Sequence, residues 1–431
     1  MVDKSIKSTT LKNDLCIGCG ICKVVCPVDA IKMLYNNNCE FKPDINEDIC
    51  NNCSICIDYC PNTKGKIDNK GLKVSSSNDS EYFGLENSKH YISYDKNKRD
   101  RKRSASGGIV SALAIELLEH DIIDGVIHAQ MIKDNIGKPH YKASYSNSVR
   151  EIDEKRSSFY GPICFSNILD NIKNKSGRYL IIGVPCIISG LKYLFKRHND
   201  FKDKKIYTIA LACSHNVNGQ FVDFLAESLG IDCNKKFYIN LRDKDNISDA
   251  NNFNNHFFDS EDTIVKINRF DSIFTKTWRN YFFSMNCCHY CSDFWGYEAD
   301  ISTKDAWGDW ASDPAGKSMV VVRNKKILKL LKKADNIILN KIDIDTTFNN
   351  QSNTVYYKQL YIKYRLKNRF INFKNIKTGF LKKYMLSKLS KKLYKKYGFK
   401  ITKRILFVLL FVLNLGGEIK KICKSILKRV L

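Results

Sequence analysis

Hydrophobic positions through the middle of this chain switch repeatedly between helical and extended spacing. Apolar side chains recur at Ile109, Ala112, Leu113, Leu117 and Leu118, one face of a helix, directly after Ser104-Ala105-Ser106-Gly107-Gly108, where Ser104 or Ser106 is a natural N-cap. GVIHAQMI (125–132) then alternates like a strand. RYLIIGVPCIISGLKYLF (178–195) reads as a strand, a turn at Gly183-Val184-Pro185-Cys186 and a helix. KIYTIALACSHNVNGQFVDFLAESLG (205–230) reads as a strand ending at Cys213, a polar loop and a helix. Strands alternating with helices predict an α/β core whose ligand sites lie in the loops after the strand ends, and two of those loops present a cysteine there.

Ahead of this core the pattern gives way to cysteine. Cys16, Cys19, Cys22 and Cys26 precede Pro27, and Cys50, Cys53, Cys56 and Cys60 precede Pro61, each set reading C-x-x-C-x-x-C-x-x-x-C-P. Such a run holds a [4Fe-4S] cubane: three thiolates two residues apart lie on a tight loop around one cluster, and the fourth, followed by proline, is carried away from it. Where two runs pair, each fourth cysteine serves the other cluster. The expected ligand sets are therefore Cys16, Cys19, Cys22 and Cys60 for one cluster, and Cys50, Cys53, Cys56 and Cys26 for the second. A zinc site would need four ligands in one tetrahedron, and disulfides would need an oxidising compartment. The stretch resembles a bacterial dicluster ferredoxin, an α+β domain expected over residues 1–66.

At 431 residues the chain has room for a second, larger domain with its own core. MVDKSIKSTTLKNDLC at the start has no apolar signal region, and 17 cysteines without one point to a reducing cytoplasm and to metal. The net charge of +26 suggests nucleic acid until its distribution is considered. Residues 363–431 carry 21 Lys and Arg against the single acid Glu418, which leaves 50 basic and 44 acidic groups on the rest. A nearly balanced body with a basic tail is a different object from a basic domain, and nucleic acid is not the expected partner.

Residues 67–103 are polar, with SSSNDS at 75–80 and the basic KNKRDRKR at 96–103, and read as a linker whose basic end is a solvated charge run or a contact for an anionic partner. The large domain is then expected over 104–345 and a basic helical tail over 346–431. In that tail the apolar run Ile405 to Leu415 is too short to span a bilayer. Ile419, Ile422, Ile426, Leu427 and Val430 recur at helical spacing opposite Lys420, Lys421, Lys424 and Lys428. Basic amphipathic helices lie in anionic membrane surfaces, or else pack on the body, so peripheral association at the inner face of the membrane through 363–431 is the expectation.

Cys287-Cys288-His289-Tyr290-Cys291-Ser292-Asp293 supplies a C-x-x-C that suits a metal pair, a redox pair or chance. In order along the chain stand the paired ferredoxin runs, Ser106-Gly107-Gly108, Gly183-x-Pro185-Cys186 with Gly190-Leu191, Cys213, and Cys288-x-x-Cys291-x-Asp293 followed by Ala299-Asp300-Ile301. Over about residues 12 to 325 this order resembles the beta subunit family of coenzyme F420 hydrogenases and dehydrogenases. The resemblance implies a flavin-binding α/β domain with FAD near Ser106, Gly107, Gly108, Gly183 and Pro185, and electrons passing between iron–sulfur centres and a substrate at the flavin. It implies as partners a ferredoxin or other redox protein and a small-molecule substrate; some similar bacterial proteins occur beside polysaccharide-assembly enzymes. The alternative is an electron-transfer subunit without a substrate site of its own. Cys186, Cys213, Cys288 and Cys291 are expected to converge near the flavin as a further cluster site or as redox thiols, with small buried hydrophobes as the competing reading. The chain departs from the family's usual loops at Ser157-Ser158-Phe159-Tyr160, at Cys213-Ser214-His215-Asn216-Val217-Asn218 and at Lys304-Asp305-Ala306-Trp307. No catalytic residue is assigned.

Overall fold

The structure, a computed structural model, describes residues 6–63, 84–132, 139–245, 247–259, 264–367 and 378–414. In chain order the strands are β1 (Ile31–Tyr35), β2 (Phe41–Ile45), β3 (Lys89–Asp95), β4 (Gly125–Met131), β5 (Tyr141–Ser146), β6 (Arg178–Gly183), β7 (Lys205–Leu211), β8 (Phe237–Asp243), β9 (Asn254–Asp259), β10 (Ile264–Asn268), β11 (Ile301–Asp305), β12 (Ser318–Val322) and β13 (Ile337–Ile342).

Eight of them form one mixed sheet in the order β13-β3-β12-β11-β7-β6-β4-β5. Its centre is parallel, with β6 pairing β4 and β7, and β7 pairing β11, while both edges are antiparallel. The apolar runs of β6 and β7 are buried on both faces, as parallel strands between helices must be. On one face Leu180, Ile209 and Val320 meet helices Ile109–Glu119 and Lys325–Lys333. On the other, Ile127, Ile181 and Ala210 meet helix Pro185–Arg197 and, beyond it, Ile21, Val24 and Val25 of the N-terminal region.

That region is a β1–β2 antiparallel hairpin with two short helices, Ile21–Val24 and Ile55–Tyr59, a ferredoxin-like unit seated on the larger sheet domain. Its seat is apolar and hydrogen-bonded: Phe165 N donates to Cys19 O at 3.0 Å and Gly219 N to Cys39 O at 2.9 Å. Gly20, at φ 83°, lies so close to residues 164–166 that a Cβ there would stand 2.7 Å from Cys164 Sγ. A third, antiparallel sheet, β10-β9-β8, has no counterpart in the sequence reading.

Several expectations need correction. Residues 89–103, expected in the linker, supply β3 inside the large sheet and helix Lys98–Arg103 with Arg101 buried, because the adjacent Tyr91 and Ile92 point to opposite faces of the sheet and each joins a core there. Neither Ser104 nor Ser106 caps the helix starting at Ile109: its N-cap is Gly108 at φ 78°, and Ser106 Oγ donates instead to Lys317 O at 2.8 Å. Strand β7 ends at Leu211, two residues before Cys213. The region expected as a tail begins inside the body, for Phe348 and Val355 of helix Ile344–Lys367 belong to the core beneath β3 and β12. Leu386, Leu389, Leu393, Leu406 and Leu410 of the helical segment Thr378–Asn414, two helices meeting at a kink at Gly398, are buried in one core with Phe224 and Phe283. Positions 419–430 of the expected amphipathic helix lie outside the described residues.

Candidate redox site

The two expected ligand sets stand in different environments. Cys16, Cys19, Cys22 and Cys60 are buried; Cys26, Cys50 and Cys56 are half-buried and Cys53 is exposed. Burial raises the thiol pKa of Cys16, Cys19 and Cys22, and the neighbouring Cys60 charge raises all three further. Cys56 is raised by burial and by Cys53 and Cys26. Cys60 of the second run thus lies with Cys16, Cys19 and Cys22 of the first, and Cys26 of the first run lies near Cys56 of the second. The inner four line a small closed cavity with Ile6, Gly20, Met33 and Pro61. Four thiols around an apolar cavity suit an iron–sulfur cubane, in which each thiolate binds its own iron. Among the described residues no group of three or more His, Cys, Asp or Glu is drawn in around a single metal ion.

Beside this domain the sheet's loops enclose a cavity of about 1280 Å³. It is lined by Ser104 to Ser106 and Gly108 at the start of the helix, by Gly183, Val184, Pro185 and Cys186 after β6, and by Cys213 to Asn216 after β7. These are the places where an α/β sheet puts ligands. Gly107 is not in the lining: a Cβ on it would meet Ser318 N and Ser93 O at 2.8 Å, so its small size lets the loop cross β3 and β12. The loops that depart from the family pattern, at 157–160, 213–218 and 304–307, supply Ser157, Ser158, Phe159, Tyr160, His215, Lys304, Asp305 and Trp307 to the wall.

Cys186, Cys213, Cys288 and Cys291 all reach the cavity and sense one another. Burial raises the pKa of Cys186, with Cys291, Cys213 and Cys288 adding to it. Burial likewise pushes Cys213 up to about 12, against the pull of Lys358. Cys288 is held below the ordinary thiol value by the Cys287 thiol, and the Asn216 N–H, 3.2 Å from its sulfur, acts the same way. Lys358 is the cation of this group. Its Nζ donates to Cys213 O at 2.7 Å and to Asp293 O at 2.8 Å. Although burial disfavours its charge, Cys291, Cys213 and Cys288 raise its pKa.

His215 lies between Trp278 and Tyr281, with centroid separations of 4.1 and 4.0 Å, and burial lowers its pKa well below the ordinary value, so it is a neutral ring. The sequence reading did not single out Lys358, Trp278, Arg242 or Arg269. Lys358 lay in a stretch taken for tail, and the others arrive on the unforeseen β8–β10 sheet and the helix after it; no spacing marked them.

Three family models match parts of the chain. Residues 92–170 match the N-terminal part and residues 176–346 the C terminus of the coenzyme F420 hydrogenase/dehydrogenase beta subunit, and residues 10–32 match a 4Fe-4S binding domain. An uncharacterized protein of Methanocaldococcus jannaschii is 22% identical over 224 residues, which is 49% of this chain and 62% of that protein. Among solved structures, a chain of the F420-reducing [NiFe] hydrogenase complex from Methanosarcina barkeri, a xenon derivative, is 18% identical, with a TM-score of 0.47 over 64% of this chain and 91% of its own. The chain belongs to the coenzyme F420 hydrogenase/dehydrogenase beta subunit family, and within it is an iron–sulfur electron-transfer protein.

Proposed function

We propose that this chain is an oxidoreductase that takes electrons from a ferredoxin or another redox protein, carries them through two [4Fe-4S] clusters and delivers them to FAD, which reduces a small organic substrate. One observation carries the reading. Ile17 and Asn62, beside the inner cysteines, line both the small cysteine cavity and the large cavity, so the two spaces share a wall. The outer set, with exposed Cys53 and the exposed apolar Val28 and Ile49 beside Cys26 and Cys50, is the end a donor protein can reach.

When bound, the clusters would supply one-electron transfer, and FAD the exchange between one- and two-electron chemistry. Cys16, Cys19, Cys22 and Cys60 would hold the inner cluster away from water; Cys50, Cys53, Cys56 and Cys26 would hold the outer one. Ser106 and Gly108 at the helix start, with Gly183 and Pro185 across the cavity, would receive the flavin, whose pyrophosphate suits the helix N-terminus. At about 1280 Å³ the cavity exceeds the roughly 300–1,000 Å³ of a single-ligand site, which leaves room for a substrate beside the flavin. Cys186, Cys213, Cys288 and Cys291 would act as a further cluster site or as redox thiols, with Lys358 offsetting thiolate charge in either case.

The test is full-length protein expressed with flavin supplied and reconstituted anaerobically. It should release FAD on denaturation and, given a chemical electron donor, reduce substrate alone. Flavin-free protein would sink the reading; activity that requires a second protein would make the chain the electron-transfer subunit.

A further inference from the structure

The wall that β8, the end of β10 and helix Ile273–Arg279 contribute to the cavity carries positive charge that the protein does not neutralise. Seven basic and four acidic side chains line the cavity. Most of the basic ones are already engaged. Arg242 Nη2 lies 3.0 Å from Asp305 Oδ1 and donates to Ala105 O at 2.9 Å. Arg156 faces Asp95, Asp100 and Asp153, and Lys155 donates to Ser144 and Ser146. Arg269 and Arg279 differ: among the described residues neither has a carboxylate partner.

Arg269 is the more telling of the two. Its Nε is buried without a hydrogen-bond partner. Its guanidinium lies 4.7 Å from the Phe253 ring centroid, and that of Arg242 lies 4.3 Å from the same ring. Burial, then Arg242 and Arg279, lower its pKa to about 10. Drawing the Arg242 and Arg269 guanidinium groups out of water with one carboxylate between them, while Arg279 stays exposed, costs free energy that an anion in their midst would recover. A phosphate or carboxylate matches the planar fork in two-point geometry. Trp278 and Phe274 on the same wall offer an apolar surface to whatever the acid group is attached to.

We propose that Arg269, over the Phe253 ring, and the neighbouring Arg279 form a subsite for the phosphate or carboxylate group of the substrate, so that the molecule reduced in this cavity is an organic acid or a phosphate ester. The inference rests on the oxidoreductase reading above and names the substrate class for it. A flavin phosphate is the other source of the same chemistry, and the test separates the two.

Inorganic pyrophosphate is titrated calorimetrically into full-length, flavin-supplied protein and into Arg269→Gln, Arg269→Lys and Arg279→Gln variants, with flavin content measured on each. The subsite requires that pyrophosphate bind the flavin-loaded protein, that Arg269→Gln weaken it by at least about tenfold without loss of flavin, and that Arg269→Lys fall between the two, since it keeps the charge and loses the two-point fork. Equal affinity in wild type and Arg269→Gln overturns it. Loss of flavin from Arg269→Gln, with pyrophosphate binding only flavin-free protein, also overturns it and gives the arginines to the flavin. Should wild-type protein carry no flavin and still bind pyrophosphate through Arg269, the flavin reading fails and the subsite stands.

Discussion

The two ends of this chain are both docked on the same sheet domain, and they differ in what fixes them. The N-terminal unit is held through apolar residues drawn from its own cysteine loops: Ile17, Cys19, Ile21, Val24 and Val25 join Ile187, Ile188, Leu191 and Met285 in one core. Its seat and its cysteine geometry are therefore the same residues. The C-terminal helical segment Thr378–Asn414 bends at Gly398 (φ 69°) and is held by Leu386, Leu389 and Leu393 before the bend and Leu406 and Leu410 after it, while Lys391 and Lys395 reach Glu40 and Asn38 of the N-terminal hairpin. It meets the 287–291 cysteine loop through Tyr384, whose ring stands edge-on to His289 at 5.2 Å, and braces the segment before it through Ser387 Oγ donating to Ser284 O at 2.7 Å and Ser390 Oγ accepting from Phe283 N at 2.8 Å. One end should fail when its chemistry fails, the other only when its packing fails.

Cys60→Ser should have the largest effect. Because Cys60 lies with the first run, its loss should remove the inner cluster, taking iron from about eight to about four per chain, and should also lower the unfolding temperature by loosening the seat. Cys53→Ser is the contrast, since that cysteine is exposed: iron should fall as far, with a much smaller change in unfolding temperature. Iron analysis paired with thermal unfolding of both variants checks this, and equal destabilisation would break the comparison.

Leu389→Ala comes next. At 2% exposure it is a core leucine, and its truncation should cost about 2–5 kcal/mol in denaturant unfolding while leaving iron content unchanged. Gly190→Val tests the N-terminal seat from the other side. A Cβ at Gly190 would stand 2.9 Å from Ile21 Cδ1 and 3.0 Å from Pro61 Cγ, so the larger side chain should cost about 1–3 kcal/mol and slow electron transfer from the outer cluster to the cavity in stopped-flow reduction.

A smaller effect, one of pH, belongs to the body that both ends share. His128 accepts or donates at Ser146 Oγ, 2.9 Å away, and Lys155 donates to the same hydroxyl. Burial, then Lys155, lower its pKa from 6.5 to about 4. Between those values the unfolded chain binds a proton that the folded chain does not, so stability is lost as pH falls from about 6.5 toward 4, by at most about 1.4 kcal/mol per pH unit for this one group. His128→Gln should flatten the slope of unfolding free energy against pH by that amount; an unchanged slope would contradict it.

Cysteine spacing made one half of the site legible and left the other half dark. The placement of Cys60 beside Cys16, Cys19 and Cys22 could be read from the sequence because the spacing of each run encodes its loop. Helices 109–119, 185–197 and 220–228 and strands β4, β6 and β7 were legible for the same reason, as periodicity is a local signal. Strand β3 was lost because it follows a long polar stretch and precedes a basic cluster, and its partners β12 and β13 lie more than 200 residues downstream. Lys358, Arg242 and Arg269 became site residues only through packing of elements distant in sequence, and a lone basic residue in a lysine-rich chain carries no spacing to recognise.

The smallest expected effect concerns the outer face of the C-terminal helix, where the comparison between the two ends is sharpest. No helix among the described residues is long and apolar enough to cross a membrane. Ile401 at 47% and Val408 at 60% exposure nevertheless stand seven residues apart, on one side of the helix, with Lys400 and Arg404 exposed beside them. We propose that this face adheres reversibly to an anionic bilayer. Each basic residue near such a surface contributes roughly 1 kcal/mol, and the attraction decays over a Debye length of about 8 Å at physiological ionic strength. The full chain should therefore float with anionic vesicles at low salt, and less so as salt rises. Ile401→Asp combined with Val408→Asp should lower the bound fraction several-fold with unfolding temperature and iron content unchanged, because neither side chain is in the core. If wild type and the double variant float equally, or neither floats at low salt, the helix serves only to pack against the body and to brace the hairpin at Asn38 and Glu40.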